Sequence, residues 1–166
     1  MLDDYFETKE EEQDYYKMIA FQELFKVLRN NFLNIRELRV LEIASGEGQI
    51  TRKLVTIFKN VTAIDPKLAM EEDYENLTKE IKYFNSSEYD CSNYDLLVSC
   101  CPCGLSEDII YASKRYNVPF FIILCNCLHG FKTKEEWYIN LKTKAEPAVL
   151  YKGKYEIWYL TNLKDR

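Results

Sequence analysis

Residues Arg39 to Ile50, RVLEIASGEGQI, constrain this chain more than any other stretch. Val40, Leu41 and Ile43 make an apolar strand, a run of small residues follows, and TRKLVTIF then carries helical spacing. Strand, tight turn and helix in that order form the opening unit of a nucleotide-binding α/β domain. Gly46 and Gly48 permit positive φ and let a ligand approach the main chain closely. A helix that begins near Gly48 or Gln49 turns its free N–H groups toward that ligand. Glu42, at the strand end, adds a carboxylate to the same crevice.

The carboxylate separates two ligand classes. A dinucleotide site uses G-x-G-x-x-G, with the third glycine where helix packs on strand and a pyrophosphate on the helix N-terminus. Here Thr51 stands at that third position, and Glu42 would repel a pyrophosphate. A nicotinamide-dependent oxidoreductase is therefore the weaker reading. A cationic adenosyl compound without phosphate suits an acid at the strand end.

The stretch Glu42-Ile43-Ala44-Ser45-Gly46-Glu47-Gly48 resembles the first motif of the class I S-adenosylmethionine-dependent methyltransferases, acid-x-Gly-x-Gly-x-Gly after a strand. Ala44 replaces the first glycine and fits the turn if its φ stays negative. The resemblance runs from about Leu38 to Thr161. It implies a three-layer α/β/α Rossmann-like fold: a mostly parallel seven-stranded sheet ending in an antiparallel hairpin, with one helix ahead of it. It implies S-adenosylmethionine as cofactor, S-adenosylhomocysteine as product, and an acceptor, small molecule or macromolecule, that the sequence does not name. The cofactor contacts it implies are Glu42, Ala44, Ser45, Gly46, Gly48, Gln49, Asp65, Pro66, Ser86 and Cys100. On the substrate side it implies Cys101, Pro102 and Tyr15. A binding or scaffold module of the same fold without turnover is the alternative, because Ala44 departs from the motif and no base is evident.

Asp65 closes a second strand, Asn60 to Ile64, and lies 23 positions after Glu42. That is close to the spacing at which an acid on the next strand meets ribose hydroxyls, and a carboxylate can accept from both at once. Capping the turn before Pro66 is its other reading. Residues 67–79 read as a short charged helix, and Ile81-Lys82-Tyr83-Phe84 as a third strand. In the loop after it, Ser86 is the best match to the residue that meets adenine, with Asn85, Ser87 and Glu88 as competitors. Tyr94 to Cys100 and Val118 to Cys125 read as the fourth and fifth strands, the latter wholly apolar as in the buried middle of a parallel sheet. Between them a helix runs from Ser106, a plausible N-cap, to Lys114. Thr133 to Leu141 reads as a helix with a capping box, Thr133 and Glu136. Ala148 to Tyr151 and Tyr155 to Thr161 sit on either side of a short turn, which forces them antiparallel.

The chain of 166 residues reads as one domain. Its parts are an acidic leader over 1–12, an amphipathic helix over 13–33 and a core over 38–161. The helix packs against the sheet as an extra layer, or partly lids the crevice with Tyr5, Phe6, Tyr15 or Tyr16 against substrate. No apolar run reaches the roughly 18 residues of a membrane span, and the first fifteen residues hold seven acids against Lys9. A cytoplasmic location without membrane association is expected. The net charge of −5 gives no broad basic face for nucleic acid.

Six cysteines without a secretion signal argue for reduced thiols. Cys101, Cys103, Cys125, Cys127 and His129 fall on two loops that the fold places side by side, and thiolates with imidazole suit tetrahedral zinc. Yet C-x-C pairs on strand ends alternate direction, and the spacing is not that of a zinc ribbon, so packing without a metal is the expectation. His129 is the only histidine and the weak candidate for a general base; a surface loop histidine is its other reading.

Overall fold

Alternation along the strands builds two cores, one on each face of a single sheet. The computed structural model describes residues 9–153 and 156–164. The strands are β1 (Arg39–Ile43), β2 (Asn60–Ile64), β3 (Leu77–Glu80), β4 (Leu96–Cys100), β5 (Phe120–Ile123), β6 (Val149–Lys152) and β7 (Trp158–Thr161). The helices are α1 (Lys9–Asn31), α2 (Gln49–Leu54), α3 (Ser106–Tyr116) and α4 (Lys134–Ala145). Leu41, Ile43, Leu97, Phe120 and Ile122 turn to one face, where Ile109 and Ile110 of α3 and Trp137 and Leu141 of α4 cover them. Val40, Leu96, Val98, Phe121 and Ile123 turn to the other, under Ile19, Leu24 and Leu28 of α1 and Leu54 of α2. Side chains two apart on a strand share a face, so one apolar run feeds both cores.

The strand order is β3-β2-β1-β4-β5-β7-β6. Neighbours from β3 to β5 are parallel, and β7 runs antiparallel to both β5 and β6. The order reverses between β1 and β4, the point where open α/β sheets bind ligands. The hairpin expected from the sequence is β6–β7, with β7 inserted beside β5.

Four local expectations are corrected. Residues 67–79 form no helix: the chain runs irregularly to β3. Glu71, Glu72, Asp73 and Glu75 repel one another at helical spacing, and Met70 alone of these side chains is buried. Asn76 instead donates to the carbonyls of Val55 and Phe58, each at 2.7 Å, and sets the start of β3. The third strand is thus Leu77–Glu80 rather than 81–84. Ile81 and Tyr83 are 72% and 80% exposed, and Phe84 turns into the core. The first helix begins at Lys9, so part of the presumed leader is helical; Tyr5 and Phe6 lie outside the described residues. Ser106 is the first helical residue rather than the cap, which is Leu105. Thr133 does cap α4: its Oγ1 accepts from the Glu136 amide at 3.2 Å, while the Glu136 carboxylate accepts from the Lys132 amide, one residue before the cap.

Candidate functional site

The turn after β1 is left-handed three times in five residues, at Ala44 (φ 62°), Gly46 (φ 55°) and Gly48 (φ 77°). The condition on which alanine was to fit this turn, a negative φ, is not met. Its amide donates to the Ile64 carbonyl at 3.0 Å, and that bond fixes the turn against β2 at the cost of left-handed strain. The two glycines serve different ends. A Cβ on Gly46 would meet open space, whereas one on Gly48 would lie 2.6 Å from Met70 Sδ. Gly46 leaves the loop open above, and Gly48 makes room for Met70 beneath α2.

Glu42 is not open to the crevice. It is 2% exposed, and its carboxylate accepts the Thr51 hydroxyl at 2.5 Å under the first turn of α2. Burial raises its pKa to about 8; the Thr51 bond opposes the rise and the nearby Asp65 charge adds to it. Thr51, read in the sequence as an absent glycine, is therefore the partner of this acid. Ser45 is buried and donates to the Glu42 carbonyl at 3.1 Å. Gln49 starts α2.

Asp65 lies at the tip of β2, half-buried. One oxygen accepts the Gly46 amide at 3.1 Å and the other the Lys67 amide at 2.7 Å, across Pro66. The capping reading of Asp65 is thus seen directly, and the same carboxylate also clasps the glycine loop. A carboxylate has about four acceptor sites, so these two bonds leave capacity for a ligand. Ser86 donates to the Asp108 carboxylate at 2.6 Å, which ties its loop to the first turn of α3.

A cleft of about 560 Å³ opens at the tips of β4, β5 and β7 under α1. Tyr16 and Lys17 line it from α1, Cys100 and Cys101 from the β4 end, and Asn126 and Trp158 from β5 and β7. The substrate-side expectation is corrected in part. Cys101 lines the cleft, Pro102 is buried beside it, and of the neighbouring tyrosines, which both pack on the second core, Tyr16 rather than Tyr15 lines the cleft. The hydrogen bond between the adjacent thiols holds Cys100 well above the usual range, with burial adding, and lowers Cys101, with the Lys17 ammonium adding. Lys17, Asn126 and Trp158 carry no local signature in the sequence.

His129 does not reach this cleft, so its expected role as general base has no geometric support. Its ring lies against Trp137 at 4.2 Å, and Nε2 is 3.7 Å from Cys125 Sγ, on the α3–α4 side.

No family model and no curated protein matches this sequence. Solved structures match its fold. N-methyltransferase NodS from Bradyrhizobium japonicum WM9 aligns with a TM-score of 0.58 at 17% identity, over 89% of this chain and 94% of that one. Magnesium protoporphyrin IX methyltransferase from Synechocystis PCC 6803, solved with bound S-adenosylmethionine, aligns at 0.58 and 10%, over 88% and 77%. DhpI, solved in complex with S-adenosylhomocysteine, aligns at 0.56 and 18%, over 89% and 92%. The chain spans only 40% and 53% of two other, longer matching chains.

The fold is that of the class I S-adenosylmethionine-dependent methyltransferases. Within this methyltransferase fold the glycine turn, Asp65 and Cys100 all lie at the carboxyl ends of strands on either side of the β1–β4 reversal. Among the described residues, no helix is long and apolar enough to cross a membrane.

Proposed function

We propose that the protein is an enzyme that binds S-adenosylmethionine over the Ala44–Gly48 turn and transfers its methyl group to an acceptor in the cleft beneath α1. The observation that carries this reading is the pairing of the open space above Gly46 with the Asp65 carboxylate held on the Gly46 amide. Backbone amides of the turn and the start of α2 at Gln49 would face the methionine portion, and the spare acceptor sites of Asp65 the ribose hydroxyls. Ser86, on the loop between β3 and β4, would meet the adenine edge. Glu42 would act from beneath, by holding Thr51 and with it the first turn of α2 against β1. The cofactor supplies the activated methyl group. The chain's task is to hold the acceptor in line and keep water out.

The cleft favours a small acceptor over a macromolecule. Its volume falls in the range of small-ligand sites, α1 roofs it, and Tyr16 and Trp158 offer aromatic walls with Lys17 at one side. A nicotinamide dinucleotide is disfavoured by the antiparallel β7.

Isothermal titration with S-adenosylmethionine and S-adenosylhomocysteine tests the reading. Both are expected to bind the wild type. Asp65→Ala is expected to weaken both by about 1–3 kcal/mol, the range for a lost hydrogen bond to a charged group, and Asp65→Asn by less. Equal affinity in wild type and Asp65→Ala, or no binding by the wild type, rejects the site.

A further inference from the structure

We propose that Cys103, Cys125, Cys127 and His129 form a closed, four-ligand zinc site that fastens the β4–α3 loop to the β5–α4 loop. Cys103 Sγ lies 3.2 Å from Cys127 Sγ and 3.4 Å from Cys125 Sγ, and Cys125 Sγ lies 3.7 Å from His129 Nε2. All four ligand atoms fall within 4.8 Å of one another. Zinc–sulfur bonds of about 2.3 Å and zinc–nitrogen bonds of about 2.0 Å in a tetrahedron put ligand atoms roughly 3.5–3.8 Å apart. The cluster therefore reaches this geometry by opening its closest thiol pairs by roughly half an ångström and closing its widest pairs by up to about one ångström.

The alternation argument that told against a metal does not apply. β4 ends at Cys100 and β5 at Ile123, so none of the four ligands sits on a strand. Left-handed residues turn each loop back on itself: Cys101 and Gly104 in one, His129 and Gly130 in the other. Cys101 falls outside the cluster, so the set of five in the sequence reduces to three thiols and one imidazole. A single disulfide would account for two of these thiols and leave the third and the histidine unexplained.

The donor set selects the metal. Thiolates and imidazole suit zinc, whereas magnesium and calcium want oxygen ligands. With four protein ligands no position is left for water or substrate, which marks a structural site rather than a catalytic one. The surroundings steady the ligands: the Tyr138 hydroxyl donates to the Cys125 carbonyl at 2.8 Å, and His129 lies on Trp137. Cys101 and Asn126, one from each fastened loop, both line the cleft, so the ion would set the spacing of that wall. The site stands whether or not the cleft takes a methyl acceptor.

The test is metal analysis of the full chain, purified under reducing conditions without chelator, supplied with zinc and dialysed. The expected result is about one equivalent of zinc per chain, falling below about a tenth in Cys103→Ser and Cys127→Ser and unchanged in Cys101→Ser. Cobalt(II) added to the zinc-free wild type should give the intense visible bands of a tetrahedral site with thiolate charge transfer, a readout that does not depend on any variant folding. Zinc-free wild type with all its thiols reactive overturns the proposal. So does a mass two hydrogens low, which reports a disulfide, or full zinc retention in both serine variants. An octahedral cobalt spectrum also overturns it.

Discussion

A buried acid with no cation beside it makes folding sensitive to pH, and Glu42 is such an acid. Its folded pKa of about 8 lies above the 4.5 of an unperturbed carboxyl. Between those values the folded state binds the proton and the unfolded state does not, so stability falls as pH rises. The contribution is intact below about pH 4.5 and is lost by about pH 8, on the order of a few kcal/mol in all. Glu42→Gln keeps the shape and the acceptor for Thr51 while removing the charge. Urea midpoints between pH 5 and pH 8 are expected to fall in the wild type and to stay nearly level in the variant; parallel slopes would refute the assignment. Ala44 makes a second prediction. Left-handed alanine costs about 1–2 kcal/mol, and glycine loses about 0.5–1 kcal/mol more backbone entropy. Ala44→Gly is thus expected to gain about 0.5 kcal/mol in denaturant unfolding, and a loss of stability would contradict the observed φ. The sequence showed an acid at the strand end and a substitution in the glycine motif. It did not show that Thr51, nine residues on, closes over the acid, because that contact depends on how α2 seats on β1.

Elements were legible where apolar runs were long. β1, β4 and β5 are mostly apolar and mostly buried, which leaves little choice of structure. The third strand was misplaced because Ile81-Lys82-Tyr83-Phe84 is more strand-like than Leu77-Thr78-Lys79-Glu80. An edge strand gains packing on one side only, so its register follows its anchors more than its composition. The anchor is Asn76, whose amide bridges the Val55 and Phe58 carbonyls past the end of α2. Asn76→Ala removes both bonds and leaves two part-buried carbonyls to find other partners. The expected loss is about 1–3 kcal/mol, with hydrogen-exchange protection falling first in β3 and the turn after α2. Uniform loss of protection across the sheet would show instead that Asn76 serves the whole fold. The paired-cysteine loops show the same limit: the residues were visible, but the positive φ values that gather them were not.

At the scale of the molecule, topology followed from element order, while the cleft did not. Its walls come from positions as far apart as Tyr16, Cys101, Asn126 and Trp158, joined only because α1 lies across the face that β5 and β7 share. That arrangement has a thermodynamic consequence. The glycine turn is tied to β2 through Asp65 and Ile64, and β2 and the seat of α2 belong to the same core as α1. A ligand on the turn therefore binds a surface that exists only when the second core is formed, and it stabilises the chain by mass action. At one hundred times its dissociation constant the gain is about 2.7 kcal/mol, or roughly 5–10 °C in melting temperature for a chain of this size. S-adenosylhomocysteine is the sharper probe, because it cannot donate a methyl group and so reports binding alone. The expected shift rises with the logarithm of ligand concentration in the wild type and is smaller at the same concentrations in Asp65→Ala, which needs about 5- to 160-fold more ligand for the same shift. A shift of equal size in both proteins would place the ligand elsewhere than the β1–β2 tips. No shift at any concentration would mean that the methyltransferase fold is used here without its cofactor.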